Sequence, residues 1–585
     1  MSTPGRDDLR TGAELDSRDL HRCGSHDPAR DAATRLEARD LAIGTRHRTL
    51  VEGVDLTLRA GDRVGLIGES GSGKSLTALA VMGLLPDNLQ AIGSIEITPE
   101  GGAPTQVVGA SDRAMSRLRG RDVSMVFQEP MSALNPTMRV GDQVAEVMEI
   151  HGTATGDAAR RRAVELLRDV GVVDPEAVAR SHPHQLSGGQ RQRVVIAIAL
   201  ANDPDVLICD EPTTALDVTV QATVLKQVLE GAERSDAALL FITHDLAVVS
   251  QVCEQVVVLS GGRVVERGTV AEVLGAPQHP YTQRLVAASE LTPRLGSAGA
   301  TALAVADERA GAADDGAPES ASPAVRVEDV RQVYTRPRRH LFAAPPQVVA
   351  LDGVSLEVSR GERFGIVGES GSGKSTLLRL LAGLENPASG RVEVLGRQVS
   401  GVPERRLRWL RESLQMVFQD PRDSLDPRMT VRDVVAEPLV AQGWSRQDAD
   451  DRVAELLERV GLEASMARRH PHQFSGGQRQ RIGIARALAP SPQVLLADEP
   501  VSALDVSVRG QVLDLIGELV DEMGLTLVFV SHDLSVVRHV CDRVAVVRHG
   551  ELVEVAPTEE LWAAPGSEYT RALIEAVPRM RVPRA

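Results

Sequence analysis

At 585 residues the chain is longer than one hydrophobic core usually organises, which at roughly 150 residues per domain excludes a single compact unit. Apolar residues at 42% and charged residues at 25% match globular averages and exclude a disordered or fibrous chain. A formal charge of −16 excludes a general basic field for nucleic acid or an anionic membrane surface, leaving only local patches.

The first 34 residues are charged and aperiodic, which predicts a disordered N-terminal segment, 1–34, with charges where a signal peptide would carry its apolar region. No stretch approaches the roughly 20 continuous apolar residues of a membrane-spanning helix, so the chain is expected to be cytoplasmic, with any membrane role running through partner proteins. Short apolar runs such as RVGLIG (63–68), VLIC (206–209) and ALLFIT (238–243) alternate with longer amphipathic stretches, the pattern of strands buried on both faces with crossover helices. Ala163, Leu166, Leu167 and Val170 form one apolar stripe at helical spacing, stopped by Gly171; Val453, Leu456, Leu457, Val460 and Gly461 repeat the arrangement.

That repetition extends to the motifs. GESGSGKS occurs at 68–75 and again, letter for letter, at 368–375. SGGQRQR recurs from Ser187 to Ser475, an acidic pair from Asp210 to Asp498, His244-Asp245 as His532-Asp533, and Tyr281-Thr282 as Tyr569-Thr570, each 288 residues later. A constant offset over distant motifs means two copies of one domain. The predicted organisation is a first domain at 35–287, a flexible linker at 288–324 rich in Ala, Gly, Asp and Ser, and a second domain at 325–585.

The pattern G-x-x-x-x-G-K-[ST] is a phosphate cradle: its glycines let backbone N–H groups approach phosphate, and the following helix offers its positive N-terminus. Candidate nucleotide-binding residues are therefore Gly68, Glu69, Ser70, Gly71, Ser72, Gly73, Lys74 and Ser75, and Gly368, Glu369, Ser370, Gly371, Ser372, Gly373, Lys374 and Ser375. Of 65 basic residues only Lys74, Lys226 and Lys374 are lysine, and two of these three sit in the loops, where a compact ammonium suits the outer phosphates better than a planar guanidinium. The hydroxyls of Ser75 and Ser375 are candidate magnesium ligands. The acidic pairs follow the apolar runs VLIC and VLLA, which puts their carboxylates at the C-terminal ends of buried strands, where ligands bind. Asp210 and Asp498 are candidates to hold magnesium, and Glu211 and Glu499 to orient or deprotonate the attacking water.

A Walker A loop, a glutamine, an SGGQ element, an acidic pair and a histidine, in that order and twice over, resemble the ABC-type ATPase domain. The series is Gly68–Ser75, Gln128, Leu186-Ser187-Gly188-Gly189-Gln190, Asp210-Glu211, Thr214-Ala215-Leu216-Asp217 and His244. Its second copy is Gly368–Ser375, Gln419, Phe474-Ser475-Gly476-Gly477-Gln478, Asp498-Glu499, Ser502-Ala503-Leu504-Asp505 and His532. The resemblance implies an α/β fold: two tandem P-loop NTPase domains, each with a mostly parallel core sheet, an antiparallel β subdomain and a helical subdomain. It implies ATP and Mg2+, with Gln128 and Gln419 contacting the metal and His244 and His532 reaching the γ-phosphate and attacking water. Ser187, Gly188, Gly189 and Gln190, with Ser475, Gly476, Gly477 and Gln478, are implied to approach the γ-phosphate bound by the opposite domain. Two ATP molecules would then lie between head-to-tail domains, and one fused chain supplies both halves.

The segments after Gln128 and Gln419, with HPYT at His279–Thr282, resemble the importer branch handling oligopeptides, dipeptides, nickel and glutathione. The partners this implies are two integral membrane permease subunits and an extracytoplasmic solute-binding protein, with the chain held peripherally at the cytoplasmic face of the membrane and no nucleic acid. A soluble tandem ABC ATPase acting on ribosomes is the competing expectation, although 290–323 does not read as the long charged helical arm of that class. The family's adenine-stacking aromatic falls on Tyr334 in the second copy and on Ile43 in the first, so the first loop is expected to bind ATP more weakly. No cysteine lies between Cys253 and Cys541, so no iron-sulfur cluster is expected. His182/His184 and His470/His472 lack further ligands nearby in sequence, and Arg113, Arg117, Arg119 and Arg121, with Arg405, Arg406, Arg408 and Arg411, lack interleaved aromatics; both sets read as structural or solvated.

Overall fold

The computed structural model describes residues 33–213, 216–289, 323–335, 347–420, 424–502 and 504–580. The segment expected to be disordered (1–34) and the expected linker (288–324) lie almost wholly outside the described residues, as do Thr214, Ala215, Ala503 and residues 336–346, for which the first half has no counterpart in sequence. At their edges, Thr34 already begins a strand and Ala288 and Ser289 complete a helix.

Among the described residues each half contains two sheets. In the first, a six-stranded sheet runs in the order Arg263–Thr269, Gln255–Ser260, Arg63–Ile67, Ala238–Ile242, Val206–Asp210, Val123–Val126, parallel except for its outer strand. The second half repeats it as Glu551–Pro557, Arg543–Arg548, Arg363–Val367, Thr526–Ser531, Val494–Asp498, Leu414–Val417. The strands read as unbroken apolar runs because both faces are covered: every residue of Val206–Asp210 and Ala238–Ile242 is buried. Alternate residues serve different cores. Leu207, Cys209 and Phe241 face a helical layer that includes Ala163, Leu166 and Leu167, whereas Val206, Ile208 and Leu240 face the helix Lys74–Val81 and a four-stranded antiparallel sheet in the order Thr49–Arg59, Thr34–Gly44, Gln90–Ile97, Thr105–Gln106. The expected mostly parallel core sheet, antiparallel β subdomain and helical subdomain are therefore all present in each half. The halves also interlock: Val218 of the first belongs to the second half's helical core, and Met580 packs against that of the first.

The predicted stripes lie on the helices Gly156–Asp169 and Arg446–Arg459, which bury Ala163, Leu166 and Leu167, and Val453, Leu456 and Leu457. Gly171 and Gly461, at φ 68° and 73°, terminate these segments in the left-handed region that glycine adopts without a Cβ clash.

The register of the antiparallel sheets corrects one expectation. Ala38 pairs with Ile95 as Val327 pairs with Val392, and Ala42 pairs with Ile92 as Arg331 pairs with Ser389. Asp40 and Asp329, at φ 47° and 45°, mark the same irregularity in the two strands. Ile43 is thus the counterpart of Gln332, and Tyr334 that of Thr45. Ile43 is fully buried in the core beneath the antiparallel sheet and offers no surface to a base. Counting back from the loops fails because 336–346 adds residues in the second half, and the expected weakness of the first site loses its basis.

Cys209, Cys253 and Cys541 are buried, and burial drives their thiols well above the usual range, away from the reactive thiolate. Iodoacetamide on the native protein is expected to leave these three unmodified and to label them only after denaturation; labelling of Cys541 in the native state, read by peptide mass mapping, would contradict this packing.

Candidate active site

Each phosphate loop leaves a buried strand and enters a helix. Arg63–Ile67 ends at Gly68, and Gly73 caps Lys74–Val81. A Cβ on Gly68 would stand 2.2 Å from the Leu259 carbonyl oxygen and one on Gly368 2.1 Å from that of Val547, so backbone packs directly on backbone there. Gly71 and Gly371, at φ 80° and 83°, have nothing within 4 Å of a built Cβ, which leaves the crest of each loop open.

The Lys74 ammonium donates to the carbonyls of Gly68 (2.7 Å) and Glu69 (3.0 Å), and Lys374 to those of Gly368 (2.7 Å) and Glu369 (2.8 Å). Burial lowers both ammonium pKa values, with partial compensation from Glu211 and Glu499 respectively. Ser75 Oγ donates to Asp210 Oδ1 (3.1 Å) and Ser375 Oγ to Asp498 Oδ1 (3.3 Å), so the predicted hydroxyl and carboxylate oxygens converge in each half. Burial pushes Asp210 up to about 6 and also raises Asp498. Carboxylates whose charge is this poorly compensated, beside a hydroxyl, suit a hard divalent cation such as Mg2+.

Beyond each strand end the backbone turns sharply. Glu211 and Glu499 sit at φ 48° and 43°, while their N–H groups still donate to Ile242 and Val530 (both 2.9 Å). Such positive φ in a bulky residue costs on the order of 1–3 kcal/mol, and here it turns the carboxylate off the strand axis toward a glutamine and a histidine. Gln128 Nε2 donates to Glu211 Oε2 (2.8 Å) and Gln419 Nε2 to Glu499 Oε2 (2.9 Å). His244 Nδ1 lies 3.2 Å from Glu211 Oε1, and His532 Nδ1 3.1 Å from Glu499 Oε2. Burial alone would lower the His532 imidazole, but its hydrogen bond with Glu499 and the charges of Glu499 and Asp533 together outweigh that and raise it. Burial would likewise raise Glu499, and His532 instead holds it below the usual carboxylate range.

The SGGQ elements open the helices Gly188–Ala199 and Gly476–Leu488 with reciprocal capping boxes. Ser187 Oγ accepts from Gln190 N (3.3 Å) while Gln190 Oε1 accepts from Ser187 N (3.1 Å), and Ser475 and Gln478 repeat both bonds. Gly188 is open at that end and a Cβ on Gly476 would meet only Leu504 Cδ2, at 3.7 Å, whereas Gly189 and Gly477 pack on Val220 and Val508.

Two sets of contacts beside the loops were not assigned from sequence. Ser70 N–H donates to Asp505 Oδ2 (3.2 Å) and Ser370 N–H to Asp217 Oδ2 (3.3 Å), each from one half to the other. Thr219 Oγ1 also donates across to Glu369 Oε1 (3.1 Å). Within each half, Glu69 N–H donates to the Tyr281 hydroxyl (2.9 Å) and Glu369 N–H to that of Tyr569 (3.3 Å). The available signal was repetition, since LD at 216–217 and YT at 281–282 each return 288 residues later. Tyr334 donates its hydroxyl to Glu385 at the edge of the antiparallel sheet.

The remaining candidates have structural partners. The rings of His182 and His184 stack at 5.7 Å and those of His470 and His472 at 5.6 Å; among the described residues no three His, Cys, Asp or Glu side chains are grouped to hold a metal. Arg119 and Arg411 cap the ends of the Walker helices through the carbonyls of Met82 and Gly83, and of Ala382 and Gly383.

A Cβ at Gly477 would approach Val508 Cγ1 to 2.3 Å, against 3.0 Å between Gly189 and Val220. Gly477→Ala is therefore expected to destabilise the protein by about 1–3 kcal/mol, and more than Gly189→Ala does; equal denaturation midpoints for the two variants would contradict the packing.

The ABC transporter family model matches residues 51–214 and 351–502, and the model for the oligopeptide/dipeptide transporter C-terminal region matches 265–309 and 553–585. The oligopeptide transport ATP-binding protein OppD of Mycobacterium tuberculosis is 45% identical, over 93% of this chain and 98% of its own. The glutathione import ATP-binding protein GsiA of Pectobacterium atrosepticum is 43% identical over 90% of this chain and 86% of its own. The peptidoglycan transport ATP-binding protein YejF of Agrobacterium fabrum is 41% identical over 92% and 96%. Among solved structures, a dimeric ATP-binding cassette, MJ0796, bound to ADP and Pi, is 32% identical over 40% of this chain and 98% of its own, with a TM-score of 0.37. The chain belongs to the ABC transporter family, of which it carries two ATPase domains.

Proposed function

We propose that this chain is the ATP-hydrolysing subunit of an importer for peptides or a related small solute such as glutathione, with two composite ATP sites between its fused halves. The observation that carries the reading is the completeness of both sets: each phosphate loop has its lysine bonded to loop carbonyls, a bonded serine-aspartate pair, and a glutamate held by a glutamine and a histidine. Neither half lacks a part. The bonds from each loop to Asp505 or Asp217 of the other half support the head-to-tail arrangement. The OppD, GsiA and YejF relatives, with the oligopeptide/dipeptide C-terminal match, support the importer.

In this reading the loop amides and Lys74 or Lys374 bind the phosphates of ATP. Ser75 and Asp210, or Ser375 and Asp498, hold Mg2+, with Gln128 or Gln419 alongside. Magnesium supplies charge neutralisation on the phosphates. Glu211 and Glu499 orient the attacking water and accept its proton, and His244 and His532 hold those carboxylates in place. The SGGQ amides of one half complete the γ-phosphate contacts of the other. Tyr334 stacks on adenine in the second half. Among the described residues no helix is long and apolar enough to cross a membrane, so the chain would work peripherally, against two permease subunits served by an extracytoplasmic binding protein.

Two measurements test this reading. Affinity capture of tagged Glu211→Gln/Glu499→Gln protein with ATP from solubilised membranes is expected to recover two multi-span membrane proteins; recovery of ribosomes without them would overturn the importer. If the sites are composite, Ser187→Arg disables the same site as Lys374→Ala. Their ATPase losses should then be non-additive with each other and additive with Lys74→Ala, whereas the opposite pairing would contradict the head-to-tail sites.

A further inference from the structure

The repeated Tyr-Thr pair has no part in the chemistry above, yet its tyrosines touch the phosphate loops. Tyr281 lies near the start of the helix Pro280–Ser289, 212 positions from Glu69, whose N–H its hydroxyl accepts at 2.9 Å. Tyr569, on Glu568–Ala576, does the same for Glu369 at 3.3 Å across 200 positions. Both rings are buried, at 7% and 9% exposure, each within its own half's helical core. Burial raises both phenols, Tyr569 to about 12, so the hydroxyls stay neutral.

The next amide in each loop is held from the other side. Ser70 N–H donates to Asp505, the N-cap residue of the helix Val506–Met523, and Ser370 N–H to Asp217, the N-cap residue of Val218–Arg234. The C-terminal helix of each half packs on the other half's capped helix: Pro280–Ser289 on Val506–Met523, and Glu568–Ala576 on Val218–Arg234. Two consecutive amides of each loop are thus fixed by two helices that pack on one another across the interface. The arrangement occurs twice in one chain on diverged sequence around the tyrosines.

We infer that Tyr281 and Tyr569 are positioning residues that hold the phosphate loops in binding shape, joining the segment matched as the oligopeptide/dipeptide transporter C-terminal region to nucleotide affinity. This rests on the reading that these loops bind ATP. The hydroxyl fixes the amide of Glu69 or Glu369 and leaves the glycine-rich crest from Gly71 or Gly371 onward to face phosphate. Without it, the loop must be ordered at the expense of ATP affinity. The ring, by contrast, serves packing, and phenylalanine preserves it.

The test uses the full chain, with trinitrophenyl-ATP as probe and one loop disabled at a time. In Lys374→Ala protein, Tyr281→Phe is expected to weaken probe binding about three- to tenfold, the worth of one hydrogen bond, with the melting midpoint of the nucleotide-free protein unchanged. In Lys74→Ala protein the same substitution should leave the probe's Kd unaltered. Tyr569→Phe should show the mirror pattern. Unchanged affinity in both of the sensitive backgrounds overturns the inference, and so does an equal loss at both loops accompanied by a lower melting midpoint, which would mark a packing role. If Lys74→Ala and Lys374→Ala each bind probe at both loops as the parent does, the underlying assignment of the loops fails instead.

Discussion

A backbone N–H in each phosphate loop is satisfied by a carboxylate from the opposite half: Ser70 by Asp505 and Ser370 by Asp217. Separation of the halves would strip both loops of that partner and uncover the buried surfaces around Val218 and Met580. Loop geometry and the association of the halves are therefore coupled. Within each half the other constraint is burial of charge. Lys74 and Asp210 stand beside apolar strands, where desolvation lowers the ammonium pKa and raises that of the carboxylate, and they depend on each other and on neighbouring oxygen atoms for compensation. In the proposed function, phosphate and a divalent cation would complete such a site electrostatically.

Much of this was legible in the sequence because the duplicated motifs lie where strand meets helix. The runs VLICD and ALLFI predicted strands buried on both faces, and the order loop, glutamine, SGGQ, acidic pair and histidine fixed the family resemblance. The antiparallel sheet was harder. Its register turns on a bulge at Asp40 and Asp329 that has no composition of its own, and the added residues 336–346 broke the count that would have aligned Tyr334 with Thr45. Contacts between residues some 150 to 435 positions apart, such as Thr219 with Glu369 or Ser70 with Asp505, leave no local periodicity. Only the repetition of the participating residues pointed to them.

The two halves are close but unequal copies. Arg548 stacks on the Tyr569 ring at 4.6 Å, while the first half has Ser260 at the corresponding place. His539 pairs with Asp514 at 2.9 Å, where the first half offers Gln251 and Lys226. Gly477 is more tightly packed than Gly189. The candidate site side chains of the two halves are nonetheless the same in kind, so the differences fall on their supports.

In the proposed function each phosphate loop is completed by the other half. This completion is tested most directly by photocross-linking Lys374→Ala protein with an ATP analogue carrying an aryl azide on its γ-phosphate, followed by peptide mapping. With nucleotide confined to the Gly68–Ser75 loop, adducts are predicted on Ser475–Gln478 of the second half. Adducts on Ser187–Gln190 of the same half would contradict the account.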